Sequence, residues 1–194
     1  MQYLKDGIRE NIVAAALKEF KEHGFLEANM RNIAWQAGIT VGNIYRYFKS
    51  KDALFEEIME PVKECMMDLL FVDKREGGYG QDNTLNLDAV MESVLQVCRQ
   101  YSPELLVLIY KSKGSKYENI KEEFISLIEK RIVEDVFPAR FLQNQDRPLA
   151  YVMAATFAEG LFIVLKKYEP DIEKIDMLIR QLVAIFFKEK LRTA

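Results

Sequence analysis

Apolar residues along this chain recur with the period of a helix, and no stretch alternates as a strand would. Between residues 6 and 22, Ile8, Ile12, Ala16 and Phe20 fall every fourth position, with Val13 and Leu17 beside them and Arg9, Lys18, Glu19, Lys21 and Glu22 outside. This is an amphipathic helix that Gly24 ends. Asn29 is placed to cap a short helix over 30–37, stopped by Gly38, and Thr40 to cap another over 41–48. Ser50 caps a fourth, which starts at Lys51 and continues through Ile58, Val62, Cys65, Met66 and Leu69, with Pro61 predicting a kink or break.

Residues 73–84 carry Gly77, Gly78 and Gly80 among charges and read as a loop. Helix follows over 85–101, and Ser102-Pro103-Glu104 starts another that runs to Lys111. After the loop Lys113-Gly114-Ser115-Lys116, the residues Ile120, Phe124, Leu127, Ile128, Ile132 and Val136 form a helix ending near Phe137-Pro138. A loop over 143–147 leads to two last helices, 148–168 and 171–191, which Glu169-Pro170 folds back antiparallel. The fold class is all-α, with about nine helices.

Residues 149–165 hold Glu159 as their only charge, which raises the question of a membrane span. The stretch is at the short limit for crossing, and a central carboxylate is costly in lipid. A helix covered by its own domain and by a second subunit explains the composition better. The next helix offers a facing stripe of Ile172, Ile175, Ile179, Leu182, Val183 and Phe186. The expected partner is therefore a second copy of the chain, joined through residues 148–191, and no membrane.

Cysteine and histidine usage narrows the chemistry. Cys65 and Cys98 stand alone inside apolar-periodic stretches, so they read as free thiols of a cytoplasmic protein. His23 is the one histidine, which rules out a multi-histidine metal site; it suits a charge partner at the end of the first helix. No nucleophile and base, metal-ligand cluster or phosphate loop appears, so neither enzymatic activity nor any cofactor or metal is expected. The N-terminal residues mix charges before any apolar run, unlike a secretory signal.

Chemistry concentrates at residues 33–51. Ile33, Ala34, Ala37, Gly38, Ile39 and Ile44 have the spacing that two steeply crossing helices require: small residues for close approach, a glycine for the turn, and aliphatics as wedges. The second helix then presents Thr40, Val41, Gly42, Asn43, Tyr45, Arg46 and Tyr47, with hydroxyls, an amide and a cation but no acid. Such a surface suits a DNA groove lined by phosphate, with Asn43 and Arg46 as base readers and Lys51 adding an ammonium nearby. Trp35 reads as core or interface.

Over residues 12–58 the sequence resembles the tetracycline-repressor (TetR) family of bacterial transcription regulators. The resemblance lies in Ala15 and Phe20, Gly24-Phe25, Ile33-Ala34, Ala37-Gly38-Ile39, Tyr45 to Phe48, and Ser50-Lys51 with Leu54. It implies a helix-turn-helix DNA-binding domain over 1–50 and a helical ligand-binding and dimerisation domain over 51–194. It further implies phosphate contacts from Thr40, Tyr45, Tyr47 and Lys51, close backbone approach at Gly42, and Asn43 and Arg46 facing the bases or adjacent backbone. Two positions depart from the family pattern. Ala28-Asn29 replaces hydroxyl residues that would add a phosphate contact, and Val41 turns base preference toward a thymine methyl.

The function expected is that of a homodimeric, ligand-responsive repressor on a near-palindromic operator in double-stranded DNA. A small-molecule inducer pocket is sought among Met66, Met67, Phe71, Tyr101, Tyr110, Phe124 and Phe157, since thioethers and aromatics line apolar sites. The alternative is a DNA-associated adaptor whose C-terminal domain binds a protein. The net charge of −3 opposes neither reading. Residues 1–51 hold eight Lys/Arg against five Asp/Glu, and residues 52–194 hold nineteen against twenty-five, so the proposed DNA end is basic and the remainder acidic.

Overall fold

The computed structural model of the chain describes residues 2–69, 87–136 and 147–187. Among these residues there are eight α-helices and no strand: α1 (Gln2–Glu27), α2 (Met30–Gln36), α3 (Val41–Tyr47), α4 (Lys51–Asp68), α5 (Leu87–Tyr110), α6 (Ile120–Arg131), α7 (Arg147–Tyr168) and α8 (Ile172–Phe187). A π-helical turn, Ile132–Val136, continues α6. The expected loop at 73–84, the helix start at 85, the end near Phe137-Pro138, most of the 143–147 loop and the last turn to 191 lie outside the described residues, as does Phe71.

By packing, the chain divides into two compact units, one of Met1–Lys63 with Pro103–Asn119 and one of Glu64–Ser102 with Ile120–Ala194. In the first, α1 breaks where the sequence predicts: Gly24 has φ 75° and ψ 168°. The Phe25 N–H, freed by that break, donates to the Lys111 carbonyl at 2.8 Å. Beneath this junction the Phe55 ring lies 4.8 Å from both Phe20 and Phe25, and 5.9 Å from Tyr117. Phe20 and Phe55 are among the largest fully buried side chains. Pro61, expected to kink or break α4, leaves it one continuous helix. Its ring is exposed, so the carbonyl four residues earlier that loses an N–H partner sits on the hydrated side of the helix.

The 111–119 segment is tied to α4 by charge as well as by apolar contact. The buried Tyr117 hydroxyl donates to Glu60, and Lys116 Nζ lies 2.5 Å from Glu56 and 2.9 Å from Glu60. The tyrosine hydrogen bond first, and the Lys116 ammonium next, hold the Glu60 carboxyl well below the usual range, at about 2.

The second unit is built on the α7–α8 pair. Ala150, Ala154, Ala158, Phe162 and Leu165 form the buried face of α7, and Ile175, Ile179 and Val183 that of α8. The helices meet closely at Gly160, where a Cβ would stand 3.0 Å from a Leu182 methyl. Phe124 of α6 packs on Phe162 at 5.8 Å between ring centroids, and Phe157 on Phe186 at 5.4 Å. Glu159, the charge that argued against a membrane span, pairs with Lys121 of α6 at 2.9 Å. α5 carries a break at Tyr101 (φ −132°, ψ 22°), just before the expected start signal, where the Ser102 hydroxyl donates back to the Cys98 carbonyl.

Two measurements test this packing. Phe55→Ala removes the ring shared by three aromatic neighbours and should lower unfolding free energy by about 3–5 kcal/mol, read as a fall in the urea midpoint. For Glu60 the folded-state acidity is increased, so its contribution is complete above the unfolded carboxyl's 4.5 and is lost as pH falls toward about 2. Glu60→Gln should therefore flatten the acid limb of the stability profile.

Candidate nucleic-acid interface

The α2–turn–α3 segment closes through local hydrogen bonds that the sequence supplies. Asn29 Oδ1 accepts from the Asn32 N–H at 2.9 Å, which caps α2. Gly38, at φ 71°, turns the chain so that the Ile39 N–H reaches the Ala34 carbonyl at 3.0 Å. Thr40 Oγ1 then accepts from the Asn43 N–H at 3.2 Å and caps α3. Ile33, Ala34 and Ile44 are fully buried in the crossing, while Ile39 is only half-buried, so Ile44 is the principal wedge.

Outside this wedge, α3 presents Thr40, Val41, Gly42, Tyr45 and Arg46 as exposed residues, with Asn43 and Tyr47 half-buried. Gly38, Ile39, Thr40, Gly42, Asn43 and Arg46 line one open concavity. A Cβ added at Gly42 would meet nothing within 4 Å, so no contact among the described residues requires glycine there. The Thr40 hydroxyl uses its oxygen for capping and keeps its proton for an outside acceptor.

Lys51, expected to add an ammonium beside α3, is engaged within the first unit. Its Nζ donates to the carbonyls of Leu26 and Ala28 at 3.0 and 2.9 Å and lies 4.6 Å from the Phe25 ring centre. An ammonium has three donors, so one remains beyond these two bonds. Lys51 thus closes the turn between α1 and α2 at the C-terminal carbonyls of α1, where a cation is favoured.

Two residues depart from their sequence reading. Glu19, placed on the outer face of the first helix, is 1% exposed. Its Oε1 accepts from the Asn29 N–H at 3.3 Å and from Asn32 Nδ2 at 3.2 Å, and its Oε2 from Gln36 Nε2 at 3.0 Å. The sequence carries the signal: Ile12, Ala15, Ala16, Glu19 and Phe20 follow the i, i+3, i+4, i+7, i+8 spacing of one buried stripe, and charge is all that sets Glu19 apart from it. Trp35, read as core or interface, is 81% exposed in the single chain, which removes the core reading. His23 is half-exposed, with Nε2 3.8 Å from Glu22 and 4.0 Å from Glu19.

The residues named for an inducer pocket are spread over both units. Tyr110 belongs to the first, while Met66, Met67, Tyr101, Phe124 and Phe157 belong to the second. Met66 and Phe124 are buried, and Met67, Tyr101 and Phe157 half-buried. The ring contacts of Phe124 and Phe157 are with Phe162 and Phe186, within the helical packing of the second unit.

Comparison with known proteins bears on the first unit most directly. Residues 12–58 match the model of bacterial regulatory proteins of the tetR family. The HTH-type transcriptional repressor KstR2 of Rhodococcus jostii is 24% identical over 93% of this chain and 90% of its own. The nucleoid occlusion factor SlmA of Haemophilus ducreyi is 21% identical over 74% and 73%. In fold, the chain is similar to the crystal structure of NalD, the secondary repressor of the MexAB-OprM multidrug efflux pump in Pseudomonas aeruginosa, with a TM-score of 0.60, 21% identity and 95% coverage of both chains. The capped helix-turn-helix lies inside the matched stretch, so residues 12–58 carry the DNA-binding domain of bacterial regulatory proteins of the tetR family, and the chain is a DNA-binding transcriptional regulator.

Proposed function

We propose that the protein is a homodimeric repressor that reads a near-palindromic operator through α3 and releases it when a small molecule binds the helical region after residue 50. The exposed, acid-free face of α3 carries this reading, and Gly42 is its sharpest feature, because the space above it is open and no contact among the described residues makes use of the missing side chain. DNA backbone approaching to contact distance supplies that use. Thr40, Tyr45 and Tyr47 donate to phosphate, Lys51 adds its remaining proton, and Asn43 and Arg46 address base edges beside Val41.

Dimerisation through residues 148–191 is supported by the apolar surface left on α7 and α8. Leu149, Val152 and Ile163 are each more than half exposed, and Ile185 is 75% exposed. The segment Pro148–Tyr168 has a mean hydropathy of 1.8 with only 28% of its apolar window buried in one chain. Two such helices from each of two copies make a four-helix contact that covers this surface in water. Two-fold symmetry then demands two half-sites about one helical turn apart, roughly 34–36 Å.

Release follows if the inducer prefers a dimer whose reading helices are wrongly spaced, a difference of about 1–3 kcal/mol between states being sufficient. Met66, Met67, Tyr101, Phe124 and Phe157, all of the second unit, are the residues proposed for that pocket. The similarity to a nucleoid occlusion factor favours one second reading, a DNA-bound adaptor that engages a protein. Apolar surface left uncovered in the purified dimer would select the adaptor.

Three sets of substitutions test the proposal on a duplex selected from a random library. Gly42→Ala should raise helix stability by about 0.5–1 kcal/mol yet weaken DNA binding, a combination that folding defects cannot produce. Tyr47→Phe should weaken binding to all sequences, Asn43→Ala should change base preference, and Lys51→Ala should lower both affinity and the urea midpoint. Ile163→Glu or Ile185→Glu should yield monomers by sedimentation; a dimer unchanged in both would remove 148–191 as the interface.

A further inference from the structure

We infer that Glu19 is a positioning residue for sequence reading, acting on α3 through α2 by a helix cap shared between two helices. This rests on α3 being the reading helix. In a capping box the third residue of a helix reaches back to the N–H of its own N-cap. Here the third residue is Asn32, and its amide donates to Glu19 instead, at 3.2 Å. The N-cap N–H, that of Asn29, also goes to Glu19, at 3.3 Å. A carboxylate from α1 therefore completes the start of α2.

The same carboxylate holds the far end of α2 through Gln36 at 3.0 Å. Asn32 and Gln36 are one turn apart on the face toward α1, so these bonds resist both rotation of α2 about its axis and sliding along it. Three donors also answer the desolvation of a side chain that is 1% exposed. Apolar contacts between α1 and α2 would tolerate small rolls; directional charge-assisted hydrogen bonds do not. Whatever orientation α2 takes passes to α3, because Gly38 and Ile39 are bonded back onto Trp35 and Ala34.

The two side-chain replacements at this position separate positioning from stability. In Glu19→Gln the remaining oxygen can keep Asn29 and Asn32, and Gln36 can turn its amide to accept from the new NH2. In Glu19→Leu all three bonds vanish, while volume and burial persist.

The full-length wild-type protein is first used to select a duplex from a random library, and variants are then compared on that duplex and by repeating the selection. Glu19→Leu should bind the duplex about tenfold or more weakly and return a broadened base profile, with a urea midpoint close to wild type. Glu19→Gln should restore both affinity and profile. If Glu19→Leu does not fold, the half-exposed and exposed pair Gln36→Leu with Asn32→Ala cuts two of the same bonds from the other side and should broaden the profile alike. Wild-type affinity and profile in the folded variants, or weaker binding that tracks a lowered midpoint with the profile intact, overturns the inference. A wild-type protein that selects no duplex overturns the DNA reading itself, which keeps the two failures apart.

Discussion

Phe55 is wedged between Phe20 and Phe25, with Tyr117 closing its remaining side, and the unit that holds the helix-turn-helix depends on this contact. One long and two short helices over about fifty residues bury little apolar surface, so their stability alone is marginal. Each ring here contributes a large buried area and a preferred tilt, so the cluster sets direction as well as cohesion. The start of α4, the end of α1 and the 111–119 segment all meet at one side chain. The caps and turns between α2 and α3 then need only refine a frame already in place.

That frame divides its polar chemistry into two kinds. Glu19 and Lys51 face inward and spend their hydrogen bonds on backbone and amide groups near the two ends of the α1–α2 turn. Thr40, Tyr45 and Arg46 face outward with capacity to spare. A protein that must recognise a polyanion needs both: donors left uncommitted on the surface, and a scaffold whose buried charges are satisfied within it, as that of Glu19 is, while Lys51 keeps one donor beyond its two bonds.

Much of this was legible in the sequence because it is local. Asn29, Gly38, Thr40 and Ser50 act within four residues of their partners, and each does in the structure what its spacing predicts. The position of the helix-turn-helix followed from them. What escaped was decided by partners distant in the chain. Glu19 is charged yet buried because three donors from α2 converge on it, and Lys51 is cationic yet engaged because two carbonyls are left over at the end of α1. Pro61 was read as an interruption because its missing N–H weighs on a helix, but on a hydrated face that loss is small. Trp35 shows the converse, an aromatic ring that hydrophobicity sends inward and this packing leaves outside.

The Phe25 to Lys111 hydrogen bond joins two peptide groups, and the first unit is completed by residues 103–119 rather than by its own neighbours in sequence. Synthesis from the N-terminus at about 5–20 residues per second therefore exposes the first four helices for some seconds before their last wall exists. During that interval Phe55 lacks Tyr117 and the Phe25 N–H lacks its acceptor. The helix-turn-helix unit therefore acquires its full set of contacts only after the 103–119 segment has been made.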